Sequence, residues 1–366
     1  MTDPSATRRT VLRTASVGGA LLTAGCMGVS APRNRDAAAQ TADTGGTADE
    51  PLPEAKAVDT DRVAAEPTDI PDPIDRSEPK EHDITLTVEE VTAEIESGVT
   101  FDYMTYGGQV PGPMIRVRQG DTVNLTFENP EGNKLPHNVD YHAVYGPGGG
   151  APATTTAPGE TAEIRFKTTY PGAFIYHCAV PNMDVHISSG MFGTILVEPK
   201  DGLPDVDHEV YLGQHDVYTK GDPGEEGHHP FDIDSMMKEN PTYVLMNGEK
   251  YAMTADNYGH ALEAQVGETA RVYFVNGGPN LTSSFHAIGN VWSKLYPKGS
   301  FSTEPQTNIE TTPVAPGTTT ATMMEFPVPE TIKLVDHALT RVVRKGCLAT
   351  INVGGAENPE IFTADP

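Results

Sequence analysis

Cysteine is scarce in this 366-residue chain: Cys26, Cys178 and Cys347 are too few and too scattered for a disulfide framework. Long apolar runs are missing as well. No stretch of about 18 uninterrupted apolar residues occurs, so the body holds no candidate membrane-spanning helix. Basic residues are outnumbered, with 25 Lys+Arg against 51 Asp+Glu and a formal net charge of −26. The acidity is not confined to a tail, because residues 81–366 alone carry 16 Lys+Arg against 38 Asp+Glu. Such a field repels nucleic acid, which excludes that class of partner, and it fits a salt-tolerant surface of halophile type.

The N-terminal stretch "TRRTVLRTASVGGALLTAGC" pairs Arg8 with Arg9, then runs through a short apolar segment to Cys26. This predicts a twin-arginine export signal over residues 1–26, and hence an extracytoplasmic protein. "LTAGC" is similar to a lipoprotein box, with Thr23 where leucine is usual, and makes Cys26 a candidate lipid anchor on the outer face of the cell membrane. Residues 27–80 are rich in Ala, Thr, Asp, Glu and Pro, the composition of a disordered acidic linker. From residue 81 the chain turns to short alternating runs such as "DITLTVEE" and "TVNLTFEN" between Gly and Pro turns, which predicts an all-β sandwich.

The pattern occurs twice. "RQGDTVNLTFEN" before His137 matches "QVGETARVYFVN" before His286, "APGETAEIRF" matches "APGTTTATMM", and "GMFGTILV" matches "GCLATINV". Two β-domains in tandem follow, over residues 81–200 and 201–356, with 357–366 as a C-terminal tail. Met191 of the first copy falls opposite Cys347 of the second, which is expected to be a core residue.

The chemistry concentrates in "LPHNVDYH" and "YHCAVPNMDVHISSGM". A thiolate, two imidazoles and a weak thioether form the ligand set of a mononuclear electron-transfer copper, so His137, Cys178, His186 and Met191 are assigned to one ion. Adjacent residues of a strand face opposite ways, so His177 cannot easily serve the same ion as Cys178. By the same parity His142 and His177 can point together at a second metal, with Asp140 on the face of His142. A catalytic copper needs a third histidine and an open position. The second repeat offers His286 and His337; His208, His215, His228, His229 and His260 read as solvated or capping residues.

Together with "GGPNLTSSFHAIG" and "VDHALTR", these motifs resemble the copper-containing nitrite reductase family, two-domain enzymes of cupredoxin-like Greek-key β-sandwiches, over roughly residues 84–356. The spacing from Cys178 to His186 is similar to the family's shorter-loop class. The resemblance implies one type 1 copper on His137, Cys178, His186 and Met191, and one type 2 copper on His142, His177 and a neighbouring subunit's His337, in a homotrimer. It implies Asp140 and His286 as the catalytic pair, Ile288 as the residue shaping the substrate position, and Glu310 and Thr311 as partners of the catalytic histidine. The expected activity is one-electron reduction of nitrite to nitric oxide. The electron would come from a small cupredoxin or cytochrome-like donor and pass through the Cys178–His177 dipeptide. Two other readings are a lipid-anchored cupredoxin electron carrier, which leaves the second constellation unused, and a two-domain multicopper oxidase. The latter needs a histidine after the cysteine, and here Ala179 follows Cys178.

Overall fold

The computed structural model describes residues 51–254 and 262–364. The arginine pair, the Cys26 box, the linker up to residue 50 and His260 lie outside the described residues.

The first half contributes β1 (Glu81–Glu96), β2 (Val99–Tyr106), β3 (Gly112–Arg118), β4 (Thr122–Asn129), β5 (Asp140–Tyr141), β6 (Glu160–Lys167), β7 (Gly172–His177) and β8 (Phe192–Glu198). They form two facing sheets, ordered β2-β1-β4-β6 and β3-β8-β7-β5. The second half contributes β9 (His208–Val217), β10 (Gly227–His228), β11 (Tyr243–Met246), β12 (Leu262–Gln265), β13 (Thr269–Asn276) and β14 (Ser283–Ile288). It continues with β15 (Trp292–Tyr296), β16 (Gln306–Ile309), β17 (Thr311–Val314), β18 (Thr318–Glu325), β19 (Glu330–Asp336) and β20 (Leu348–Gly354). These make sheets ordered β11-β9-β13-β18-β15-β16 and β12-β20-β19-β14-β17. The short β10 instead pairs with β2 and extends a sheet of the first half.

The two halves share their pairing scheme. β1 runs parallel to β4 as β9 does to β13, and β3 runs parallel to β8 as β12 does to β20. Strand β4, "TVNLTFEN", alternates between half-buried and buried positions along its length, the signature of one wet and one dry face. Strand β8, "FGTILVE", is buried throughout because it separates two cores. Its Ile195 and Val197 pack with Phe127, Tyr141 and Tyr176 of the first sandwich, whereas Phe192 and Leu196 face Tyr211, Tyr273 and Val275 of the second half. Complete burial of a side chain such as Phe192 is worth roughly 1.5–3 kcal/mol. Its position depends on Gly277, where an added Cβ would lie 2.2 Å from the ring.

Residues 51–80 differ from the linker expected of them. Val63 and Ala65 are buried, Ala65 N–H donates to Val110 O (2.9 Å), and Val110 N–H donates back to Val63 O (2.8 Å). The N–H groups of Val63 and Ala64 donate to Glu249 Oε1 at 2.8 and 3.0 Å. Polar composition over the whole segment conceals one short apolar stretch, "VAA", which is enough to dock it.

Candidate metal centres

Strand β7 brings Tyr176, and just past its end Cys178, into the core of the first sandwich, while His177 turns to the opposite side. Beyond it, the short helix Met183–Ser188 carries His186 back over the cysteine, closed by Met191 N–H donating to His186 O (3.1 Å) and Cys178 N–H to Met191 O (3.2 Å). His137 is fixed from the other side by a reciprocal backbone pair with Thr156 at 3.0 and 2.9 Å. The result is a buried cluster: Cys178 Sγ lies 3.6 Å from His186 Nδ1 and 3.9 Å from His137 Nδ1, and the two nitrogens are 3.2 Å apart. Met191 is fully buried in the same apolar cluster as Cys178.

The donor set fits a cation. His137 Nε2 lies 3.1 Å from Glu90 Oε1, which assigns the proton to Nε2 and leaves Nδ1 a bare lone pair facing Cys178 and His186. Burial, and then the neighbouring His137, push His186 down to about 4, so its ring is neutral at ordinary pH. Burial also pushes the Cys178 thiol up, against the pull of nearby backbone N–H groups. Three electron-pair donors thus converge around a single thiol hydrogen, which can bridge the sulfur to only one nitrogen at a time, whereas a soft cation that displaces it satisfies all three and favours the thiolate.

Sequence inspection did not single out Asn138, Tyr106 or Glu90 here. Asn138 Oδ1 accepts Ala179 N–H at 2.7 Å and lies 3.7 Å from Cys178 Sγ; Tyr106 Oη donates to Asn138 O at 2.7 Å. Glu90 Oε1 also accepts the N–H groups of Lys134 and Leu135 at 2.9 and 2.8 Å. Burial would raise its carboxyl, but the His137 and backbone hydrogen bonds outweigh it and hold it below the usual carboxylate range. Adjacency to His137 was the available signal for Asn138. Glu90 is 47 residues away from its histidine and had none.

The second cluster lies on the outer side of the same strand. Asp140 of β5 is the register partner of His177, and partners across an antiparallel pair project to the same face. His142 then reaches His177 with Nε2 atoms 3.0 Å apart, and ligand atoms of Asp140, His142 and His177 all lie within 4.8 Å of one another. His177 Nδ1 is 2.9 Å from Cys178 O, which places its proton there and leaves Nε2 to face His142. His142 is exposed in this chain, yet desolvation of its ring by the surrounding residues, and next the nearby His177, lower its pKa. Gly149 makes room for Asp140, since a Cβ there would fall 1.9 Å from Oδ1.

His286 and His337 do not join this cluster within the chain. They face each other on the second sandwich, with ring centroids 5.2 Å apart. His286 Nδ1 donates to the backbone oxygen of Glu310 at 2.7 Å, with Thr311 Oγ1 3.3 Å away, so Glu310 meets the histidine through its main chain rather than its carboxylate. Ile288 lies two residues on along β14, shares the face of His286 and is exposed. Asp336, next to His337, is a further residue missed in the sequence. Its buried carboxylate accepts from Ser284 N and Ala338 N at 3.0 Å each, from Gln214 Nε2 at 3.2 Å and from Arg341 at 2.6 Å.

Three of the remaining histidines depart from the expectation of solvated or capping residues. His215, His228 and His229 are buried, and His215 Nδ1 donates to Ser188 O at 3.0 Å beneath the His186 helix. His208 is half-buried and pairs with Glu268 at 2.7 Å. Cys347 is fully buried in the core of the second sandwich.

A pair of packed β-sandwiches with a buried Cys-His-His cluster defines a cupredoxin-like protein of copper-binding type. A family model described as multicopper oxidase matches residues 87–202. The copper-containing nitrite reductase of Neisseria meningitidis serogroup B is 47% identical over 303 residues, covering 83% of this chain and 76% of that protein. The one from Neorhizobium galegae is 35% identical over 306 residues, covering 78% and 79%. The solved structure of copper nitrite reductase from Nitrosomonas europaea superposes with a TM-score of 0.66 at 32% identity, covering 76% of this chain and 96% of that one. The chain belongs to the copper-containing nitrite reductase family.

Proposed function

We propose that this chain reduces nitrite to nitric oxide and water, consuming one electron and two protons per turnover. The observation that carries the reading is the His177–Cys178 dipeptide, whose consecutive side chains lie in the two different clusters. A covalent path two residues long therefore joins an electron-transfer site to a second site beside a carboxylate.

His137, Cys178, His186 and Met191 would hold a type 1 copper, and His142 and His177 would hold a type 2 copper completed by His337 of a neighbouring subunit. Copper supplies reversible one-electron chemistry at the first site and, at the second, Lewis acidity toward a nitrite oxygen. Asp140 would pass one proton to nitrite at the second site, and His286 would supply the other from its Nε2 side, its Nδ1 being occupied by Glu310 O. Ile288 would limit how nitrite lies against that site. The separation of His286 and His337 from the Asp140 cluster within one chain supports active sites shared across subunit boundaries, and the resemblance to the family supports a homotrimer as the assembly. The Arg8-Arg9 signal and Cys26 support export and a lipid anchor, with a small redox protein as donor.

The multicopper oxidase reading is favoured by the description of the matching family model. Ala179 after Cys178 speaks against it, because a three-copper cluster needs a histidine there. Electron paramagnetic resonance of the copper-loaded protein, with and without nitrite, tests the proposal. Two copper signals are expected, of which only the second moves on adding nitrite. A single signal indifferent to nitrite would instead fit an electron carrier.

A further inference from the structure

Glu90 stands out among groups to which the reading above gives no role. It lies on β1, at the point where that strand leaves its parallel pairing with β4 and pairs with β2. Its side chain is only 12% exposed, it takes part in no ion pair with lysine or arginine among the described residues, and one oxygen receives three hydrogens. Two come from the backbone of Lys134 and Leu135, and the third from His137 Nε2, the nitrogen facing away from Cys178. The carboxylate therefore fixes both the 134–137 loop and the imidazole it delivers.

We propose that Glu90 is a positioning residue that also sets the redox balance of the type 1 site, through its negative charge on the far nitrogen of His137. The inference rests on the assignment of His137 as a copper ligand. A carboxylate hydrogen-bonded to the outer N–H of a metal-bound histidine fixes the tautomer and makes the ligand nitrogen more basic. Both effects favour the oxidised, more highly charged ion over the reduced one, and they act where burial weakens dielectric screening. In the one-electron step, Cu(II) and an electron give Cu(I), while Glu90 stays a carboxylate and His137 keeps its Nε2 proton. Glu90 thus lowers the potential without exchanging a proton.

The test separates charge from hydrogen bonding. Glu90→Gln keeps an oxygen able to accept from His137 and the loop but removes the charge. Glu90→Asp keeps the charge on a shorter stem. Redox titration of the visible charge-transfer band should show the Gln variant shifted about tenfold toward Cu(I), equivalent to about 59 mV for a one-electron couple. The Asp variant should shift less than the Gln variant. A Gln variant that retains the band and titrates at the wild-type potential would overturn the inference and leave Glu90 a loop clip only.

If the Gln variant does not load copper, the wild-type Cu(I) protein still decides. The Nε2 proton of His137 should appear in its NMR spectrum as a downfield resonance protected from exchange, and its absence overturns the inference. Absence of the visible band from the wild-type protein would instead refute the copper assignment itself, an outcome distinct from an unmoved potential.

Discussion

Asp140 and His177 are register partners across β5 and β7, and that pairing brings a carboxylate and an imidazole to one face while Tyr141 and Tyr176 pack on the other. This carboxylate is held by strand geometry rather than by a loop. Asp140→Asn should lower turnover by roughly 10²–10⁴-fold, the usual range for loss of a general acid, with the visible band of the type 1 site unchanged. Gly149→Ala should act in the same direction, because its methyl group would occupy the space of Asp140 Oδ1 and the backbone there has a φ of +57°. Steady-state nitrite kinetics beside optical spectra check both.

His142 and His337 lie on different sandwiches and do not meet within one chain. Homogeneous His142→Ala and His337→Ala variants should each lose the type 2 copper signal. Subunits of the two variants, unfolded and refolded together, should recover a fraction of both signal and activity, since some boundaries would pair an intact His337 with an intact His142. Recovery absent from mixed assemblies of normal size would show that the site is not shared between subunits.

Asp216 is buried under Tyr218, whose Oη donates to it at 2.5 Å, and burial raises its pKa to about 6. The folded state therefore binds its proton more tightly than the unfolded state does. Stability from this group is fully present below about 4 and is lost as pH rises through about 6, a change of roughly 3 kcal/mol at most. Asp121 acts in the opposite sense. Burial pushes its carboxyl up, but Arg76, the backbone N–H groups of Arg118 and Lys80, and His82 hold it well below the usual range, so its contribution is lost as pH falls. Denaturant midpoints between pH 4 and 7 should fall less steeply with rising pH for Asp216→Asn than for the wild type.

Arg116, Glu198, Glu209 and Arg271 form a nearly dry ion network between the halves, with Arg116 to Glu198 at 2.5 Å, Arg116 to Glu209 at 2.6 Å and Arg271 to Glu209 at 2.7 Å. Glu209→Ala removes the carboxylate shared by two buried guanidinium groups. A loss of about 3–5 kcal/mol is expected, read as a lower denaturation midpoint, with little salt dependence because the network is shielded from solvent.

Period-two alternation and repeated motifs made the β-sandwich pattern and its duplication visible in the sequence, because side-chain direction along a strand is a local property. The same locality made Cys178 and His177 separable as members of different clusters, and the short stretch from Cys178 to Met191 kept three of the four residues proposed for the type 1 site in one readable motif. Residues 51–80 were misread because composition averages over a segment, whereas docking needs only a few apolar side chains at one place.

Tertiary structure alone decided the contacts between residues remote in sequence. Glu90 reaches His137 across strand pairing, Gln214 reaches Asp336 from another sheet, and Glu310 turns its carbonyl rather than its carboxylate to His286. None of these has a local pattern, because each depends on which strands become neighbours and on the register in which they pair. The sequence by itself determined which donor types are present and which face of a strand each occupies. Folding determined which donors share a cluster, which nitrogen of His137 and of His177 is left free, and which candidate ligands the chain leaves too far apart to meet, since those depend on distances that only the packed sheets define.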